Sequence, residues 1–309
     1  MLIGIEIGGT KLQLVVGDKA GVIHHRLKLS VLSKEGAAGI RQQIKQALPQ
    51  LMAKWEVTAI GVGFGGPVDW KSGKISRSHQ IEGWSEFDLG GWLKEQTGVP
   101  ARVDNDANVA ALGEACRGAG QKLSPVFYIT LGSGVGGGLV VDGKIYHGTS
   151  PGEAEIGHVQ LDRQGTIVES RCSGWAIDQR IRDLKNSAPQ SLLCKLPGFG
   201  AGGEAIHLAE ALKRSDAAAQ RILQELTEDL GFGLSHVVHL FHPQIIVIGG
   251  GLSGLGQPLR QGIEQVLPKF IMEAFRPGPK IALAELQEDA VPVGALLLAS
   301  SEVSQPAAS

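Results

Sequence analysis

The chain writes one pattern twice. LIGIEIGGTKLQLVVGDKAGVIHHRL begins at Leu2, and VFYITLGSGVGGGLVVDGKIYHG begins at Val126. Each reads as strand, glycine turn, strand, short Asp/Gly turn, strand. Two related halves are the economical explanation, and they constrain the fold more than any single element does. Between and beyond them the pattern alternates. Apolar runs end in glycine (IGVGFGGP, IIVIGGGLSG), and segments such as ANVAALGEACRG and DAAAQRILQELTEDLGFGLSHVVHLF carry helical periodicity. Strands alternating with helices imply an α/β fold. RGAGQKLSP, where small and polar residues follow a helix, marks the junction. The expected lobes are therefore residues 1–118 and 119–289, with an apolar C-terminal helix at 290–304 crossing back to complete the first.

At 309 residues and 43% hydrophobic content there is enough apolar material for two such cores. A formal charge of -2, with no Lys/Arg run, argues against a nucleic-acid partner. Three widely spaced cysteines suggest reduced thiols rather than a disulfide framework. The first residues run straight into a patterned strand, and no apolar run reaches membrane-spanning length. A cytoplasmic protein with no membrane partner is the expectation.

Paired glycine turns suit one task. Backbone N–H groups that no side chain obstructs can approach phosphate oxygens from two sides. Gly8, Gly9, Thr10 and Lys11 would form one jaw, and Gly132, Ser133, Gly134 and Gly136 the other; tight hairpins without a ligand are the plain alternative for either alone. The run G-S-G-V-G-G is not a dinucleotide fingerprint, because a strand-like segment rather than a helix follows it. In a third turn, Gly250 and Gly251 could form a floor for an adenosine ring or could simply admit a packed helix.

V-D-N-D-A-N-V-A-A-L-G-E places Asp104, Asn105 and Asp106 between an extended run and a helix. One of them is needed to cap that helix. A carboxylate at a helix N-terminus is held ionised and can accept a hydroxyl proton, and Asp106 is the choice for that role. Glu6, beside the first glycine turn, sits where a carboxylate could reach a Mg²⁺-bound water.

With these motifs in place the chain resembles the ROK family of bacterial sugar kinases and sugar-responsive repressors. The resemblance runs from IEIGGTK through GFGGPVD (residues 63–69), DNDANVAALGE, LGSGVGGGLVVDGKIYHG and AEIGH to IGGGLS. It implies a two-domain, actin-like ATPase fold related to ribonuclease H, with ATP and Mg²⁺ bound in an interdomain cleft. It also implies transfer of phosphate to a hexose or N-acetylhexosamine hydroxyl, O6 being the expected one. Asp106 becomes the base; Gly66, Asn105, Glu155, His158 and Glu169 become sugar-binding residues; a homodimer is expected. Family repressors carry a DNA-binding module before the first strand, which here begins at Leu2, so a kinase is the first reading and a non-catalytic sugar sensor the rival.

Three departures from the family pattern matter. Glu6 stands where aspartate is usual, and Ser133 where threonine is common. The family's zinc-binding cysteines are missing between His158 and Glu169, where the chain reads VQLDRQGTIV, so no structural zinc site is expected. His236, His239 and His242 recur before Pro243 as the end of a helix rather than a metal cluster.

Overall fold

The computed structural model describes residues 1–9, 11–31, 33–76, 82–150, 152, 154–196 and 199–303. The chain divides into two compact units. One contains residues 1–122 and 138–154 and the described chain from Glu285 onward; the other contains residues 123–137 and 155–284.

The first half of the chain builds β1 (Leu2–Ile7), β2 (Lys11–Gly17), β3 (Ile23–Ser30), α1 (Gly36–Lys54), β4 (Ala59–Phe64), the short β5 (Val68–Asp69) and β6 (Lys74–Ile75), α2 (Leu89–Thr97), β7 (Ala101–Asn105) and α3 (Asp106–Arg117). The second half supplies β8 (Val126–Leu131), β9 (Val135–Val141), β10 (Lys144–Ile145), α4 (Val168–Cys172), α5 (Gly174–Ser187), α6 (Leu208–Lys213), α7 (Ala217–Phe241), β11 (Ile245–Gly249), α8 (Gln257–Val266), β12 (Lys280–Leu283) and α9 (Ala290–Val303).

The duplication read from the sequence is visible in the strand order. One five-stranded sheet runs β3-β2-β1-β4-β7 and the other β10-β9-β8-β11-β12. The first opens with an antiparallel meander, the second pairs β9 with β10 antiparallel, and each ends in two parallel strands reached through helices, as βαβ connections require.

Alternation along β1 and β4 sorts their neighbours. Ile3, Ile5, Ile7, Ile60, Val62 and Phe64 join Ile40, Ile44 and Leu48 of α1 in one core. The opposite face presents Leu2, Gly4, Ala59, Gly61 and Gly63 to α9. Glycine is needed at this contact: a Cβ at Gly61 would land inside the carbonyl of Ala295, and one at Gly294 inside that of Val109. The C-terminal helix therefore lies against the backbone of the first sheet, with α3 on its other flank. That helix begins at Ala290, ahead of Pro292, because proline is tolerated in a first turn where its missing N–H has no partner to lose.

The long helix α7 closes at Phe241, with His242 in the left-handed cap conformation. His242 stacks on Phe275, and His239 accepts the N–H of Met272. Among the described residues no group of three or more His, Cys, Asp or Glu side chains is placed to hold a metal ion, and no helix is long and apolar enough to cross a membrane.

Candidate active site

In the first unit the site grows out of strand register. Ile7 pairs with Phe64, and Phe64 with Asn105, so the parallel strands β1, β4 and β7 end at one level. The carboxyl ends of such strands are where α/β folds present ligand-binding groups. Just past those ends lie Gly8, Gly65 and Asp106. Gly65 donates its N–H to Ile7 O at 2.8 Å. A Cβ on Gly65 would stand 3.4 Å from Asp106 Oδ2 and 3.4 Å from Gly8 Cα. Asp106 thus carries its carboxylate beside the Gly65 turn, from the first position of α3.

Asn105 is the cap of that helix. Its side-chain oxygen accepts from Ala107 N at 2.8 Å and Asn108 N at 3.3 Å, and its amide donates to Gly66 O at 3.2 Å. One amide hydrogen is left to meet a ligand. Sequence alternation places Asp104 and Asp106 on the same side, but the helix starts at Asp106 and re-aims it. Asp104 turns inward and is buried, bound to Asn108 and to His147.

Glu6 lies on the α9 side of β1. Gln13, its cross-strand partner, donates to its carboxylate, and Arg26 holds the Gln13 amide oxygen at 2.9 Å while gripping Asp289 at 2.6 Å. Burial pushes the Glu6 carboxyl above its ordinary value, against the lowering pull of Gln13 and Lys11. A divalent cation would supply the compensating charge, and oxygen donors are what Mg²⁺ prefers, so Glu6 fits a metal-facing role. Lys11 is exposed and pairs with Glu288 at 3.9 Å. Thr10 lies outside the described residues, as do residues 77–81.

In the second unit three segments converge on the turn between β8 and β9. Gly174 donates its N–H to Gly132 O at 2.7 Å, so α5 starts against that turn. Glu169 accepts the N–H of Val135 at 2.8 Å, and a Cβ on Gly134 would stand 2.5 Å from Glu169 Oε2. Gly157 abuts the Val135 carbonyl so closely that no side chain fits. Ser133 is exposed at the apex, with Gly136 behind it on β9. Glu155 and His158, both exposed, face each other with Nδ1 3.3 Å from Oε2 across one turn of 3₁₀ helix. Glu155, His158 and Glu169 are therefore built onto the same glycine turn that the sequence assigns to phosphate.

The 159–168 segment closes on itself. Gln160 and Ile167 form an antiparallel bridge, Leu161 N donates to Thr166 O at 2.7 Å, and Asp162 accepts from Gln164 N and Thr166 N. Cys172 is fully buried, and burial pushes its thiol far above the ordinary cysteine range. Of the proposed adenosine floor, Gly250 has a packing reason to be glycine: at φ 79° it lies against the Leu131 backbone, where a Cβ would clash. Gly251 is exposed, with open space where a Cβ would be.

Comparison with known proteins now adds to this geometry. The ROK family model matches residues 2–302. The chain belongs to the ROK family. A glucokinase from Halalkalibacterium halodurans is 31% identical over 94% of the chain and 92% of its own length. A ROK family glucokinase from Streptomyces griseus, solved in complex with glucose and AMPPNP, is 32% identical, with a TM-score of 0.84 over 97% of the chain and 99% of its own. A xylose repressor from Caldicellulosiruptor bescii is 22% identical over 98% of the chain but 78% of the repressor. The two sheets of matching strand order are those of an actin-like sugar kinase.

Sequence reasoning named Asp104 but gave it no role of its own, and it passed over Asn108 and His147. Only the unusual D-N-D-A-N density of polar groups hinted at them, because the partner of Asp104 comes from 43 residues away.

Proposed function

We propose that this ROK member transfers the γ-phosphoryl group of ATP to a hexose hydroxyl, O6 in the simplest case, with Asp106 as the base. The observation that carries the reading is the Asp106 carboxylate at the helix N-terminus beside Gly65, which itself packs on Gly8. There the helix dipole favours the ionised acceptor, and two glycines leave room for reactants. The hydroxyl oxygen attacks the γ-phosphorus as its proton passes to Asp106; the bond to the β,γ-bridging oxygen breaks, and ADP leaves. Asn105, through its spare amide hydrogen, and the backbone at Gly66 orient the sugar on this side.

Glu155, His158 and the second carboxylate oxygen of Glu169 are assigned to the remaining hydroxyls. Their fixation on the 132–135 turn supports this, since a site built to satisfy hydroxyls rejects ligands that lack them. The N–H groups around Gly8, Gly9, Gly132, Ser133 and Gly134 are assigned to phosphate, with Lys11 nearby as a cation, and Gly251 to the adenosine. Mg²⁺, held by Glu6 through water, would neutralise charge building on the phosphates. We also propose a cytoplasmic homodimer, in keeping with three unpaired cysteines and the prevalence of twofold assemblies; light scattering tests the dimer.

The deciding experiment is ADP release over a panel of hexoses for the wild type and Asp106→Asn. The wild type should turn over at least one hexose, and the variant should lose turnover by about 10³-fold or more while still binding sugar. A variant with near-normal turnover removes Asp106 from its role. Sugar binding without ADP release by the wild type would favour the sensor.

A further inference from the structure

Glu6 stands where the family pattern has aspartate, and its extra methylene has to be accommodated. A specific partner receives it. On the α9 side of the first sheet, Gln13 of β2 lies directly across from Glu6 of β1, with Arg26 on β3 beyond it. Gln13 Nε2 donates to Glu6 Oε2, Arg26 Nη1 donates to Gln13 Oε1 at 2.9 Å, and Arg26 Nη2 donates to Asp289 Oδ1 at 2.6 Å. Gln13 is buried, at 6% exposure, so solvent cannot stand in for either of its partners. All four residues belong to one compact unit.

This chain of donors can run only one way. A guanidinium has no acceptor and an ionised carboxylate has no donor, so Gln13 must turn its oxygen to Arg26 and its NH₂ to Glu6. The flipped amide would set donor against donor and acceptor against acceptor. Lys28, directly opposite Gln13, turns instead to Glu288 at 3.6 Å. An amide at this position also differs from a cation. It fixes one carboxylate oxygen without cancelling the charge of Glu6, while the charge of Arg26 is met by Asp289. Among the described residues, Glu6 Oε1 accepts no hydrogen bond.

We propose that Gln13, its amide oriented by Arg26, is a positioning residue for Mg²⁺: it ties down Oε2 of Glu6 and leaves Oε1 to the metal-bound water. The inference rests on the reading of Glu6 as the carboxylate that holds Mg²⁺ through water. Carboxylates that hold metals are themselves held by hydrogen bonds, and loss of such a partner costs about 10- to 100-fold in metal affinity. An aspartate in place of Glu6 would end about 1.5 Å short, out of hydrogen-bonding reach of Gln13. Gln13 and Arg26 therefore suit a glutamate here and have nothing to hold on the shorter side chain.

The test reads Mg²⁺ rather than turnover. Binding of AMPPNP to the full chain is followed calorimetrically over a series of Mg²⁺ concentrations for the wild type, Gln13→Met, Glu6→Asp, the two changes together, and Glu6→Gln. Gln13→Met keeps the volume and removes the donor. The Mg²⁺ concentration for half-maximal binding should rise about tenfold, while AMPPNP affinity at saturating Mg²⁺ stays within about threefold. In the Glu6→Asp background the same change should move that concentration by less than about twofold, because the coupling is already gone. A lower Tm with an unchanged Mg²⁺ requirement is what a merely structural amide would give, and it overturns the proposal; so does an equal cost in both backgrounds. If Gln13→Met does not fold, Gln13→Asn takes its place, keeping the amide one methylene short of Glu6, and a flat Mg²⁺ requirement there overturns the proposal instead. An unchanged requirement in Glu6→Gln defeats the parent reading and this one with it. A raised requirement in Glu6→Gln beside a flat Gln13→Met defeats the positioning role alone.

Discussion

Gly134→Ala is the sharpest probe of how the second unit works. The backbone of Gly134 lies outside the left-handed region, so alanine is conformationally acceptable there, and only space opposes it. The new Cβ would sit 2.5 Å from Glu169 Oε2. Glu169 must then retreat by about 1 Å to reach ordinary contact. Its 2.8 Å hydrogen bond from Val135 N would not survive that displacement. The steric move itself is cheap, because the end of a side chain yields. The lost hydrogen bond to a charged acceptor costs about 1.5–3 kcal/mol. If Glu169 must be held there to orient sugar, kcat/KM for sugar falls by roughly 10- to 100-fold. A double-mutant cycle with Glu169→Ala isolates the coupling by coupled ADP release: in the Glu169→Ala background, Gly134→Ala should cost almost nothing more. A silent Gly134→Ala, or full additivity of the two changes, would refute the claim that the turn and Glu169 act as a unit.

Three further outcomes are expected. Gly61→Ala should cost about 3 kcal/mol by urea unfolding, since an added Cβ collides with the Ala295 backbone of α9 and neither element can yield cheaply; a loss under about 0.5 kcal/mol would show that α9 is not packed against the sheet as described. Asp216 caps α7: burial opposes its charge, but the N–H groups of Leu192 and Ala219 and the Ser191 hydroxyl outweigh that and hold its carboxyl below the ordinary value. A depressed pKa stabilises the fold above the unfolded value and loses that contribution as pH falls through the folded one. Asp216→Ala should thus cost about 1 kcal/mol at pH 7, and the difference should shrink below about pH 4; a gap that widens in acid would contradict the sign. Glu6→Gln should raise the Mg²⁺ concentration needed for half-maximal nucleotide binding measured calorimetrically, and an unchanged requirement would take Glu6 away from the metal.

Much of the architecture was legible because the duplicated hairpins obey local rules. Alternation, glycine turns and Asp/Gly turns depend on a few adjacent residues, and the matching order of the two sheets follows from repeating them. That the D-N-D cluster holds a helix cap was legible for a similar reason, since a helix that follows a strand needs one. Which residue capped was settled only by tertiary contact: Asn105 takes the helix N–H groups and also reaches Gly66, 39 residues away. Glu169 shows the same limit. Its tie to Val135 spans 34 residues, and no periodicity announces it. Gly250 was ambiguous from the start, because a glycine that admits a ligand and one that admits a backbone look alike until Leu131 is seen beneath it.

The self-closed 159–168 segment carries a physiological implication. Its shape is held by main-chain hydrogen bonds and the Asp162 carboxylate, and these need neither an ion nor a reduced thiol. The nearest sulfur, on Cys172, is sealed inside the fold with its thiol held protonated. Hydrogen bonds of that kind would be untouched by a chelator or by an oxidant of surface thiols.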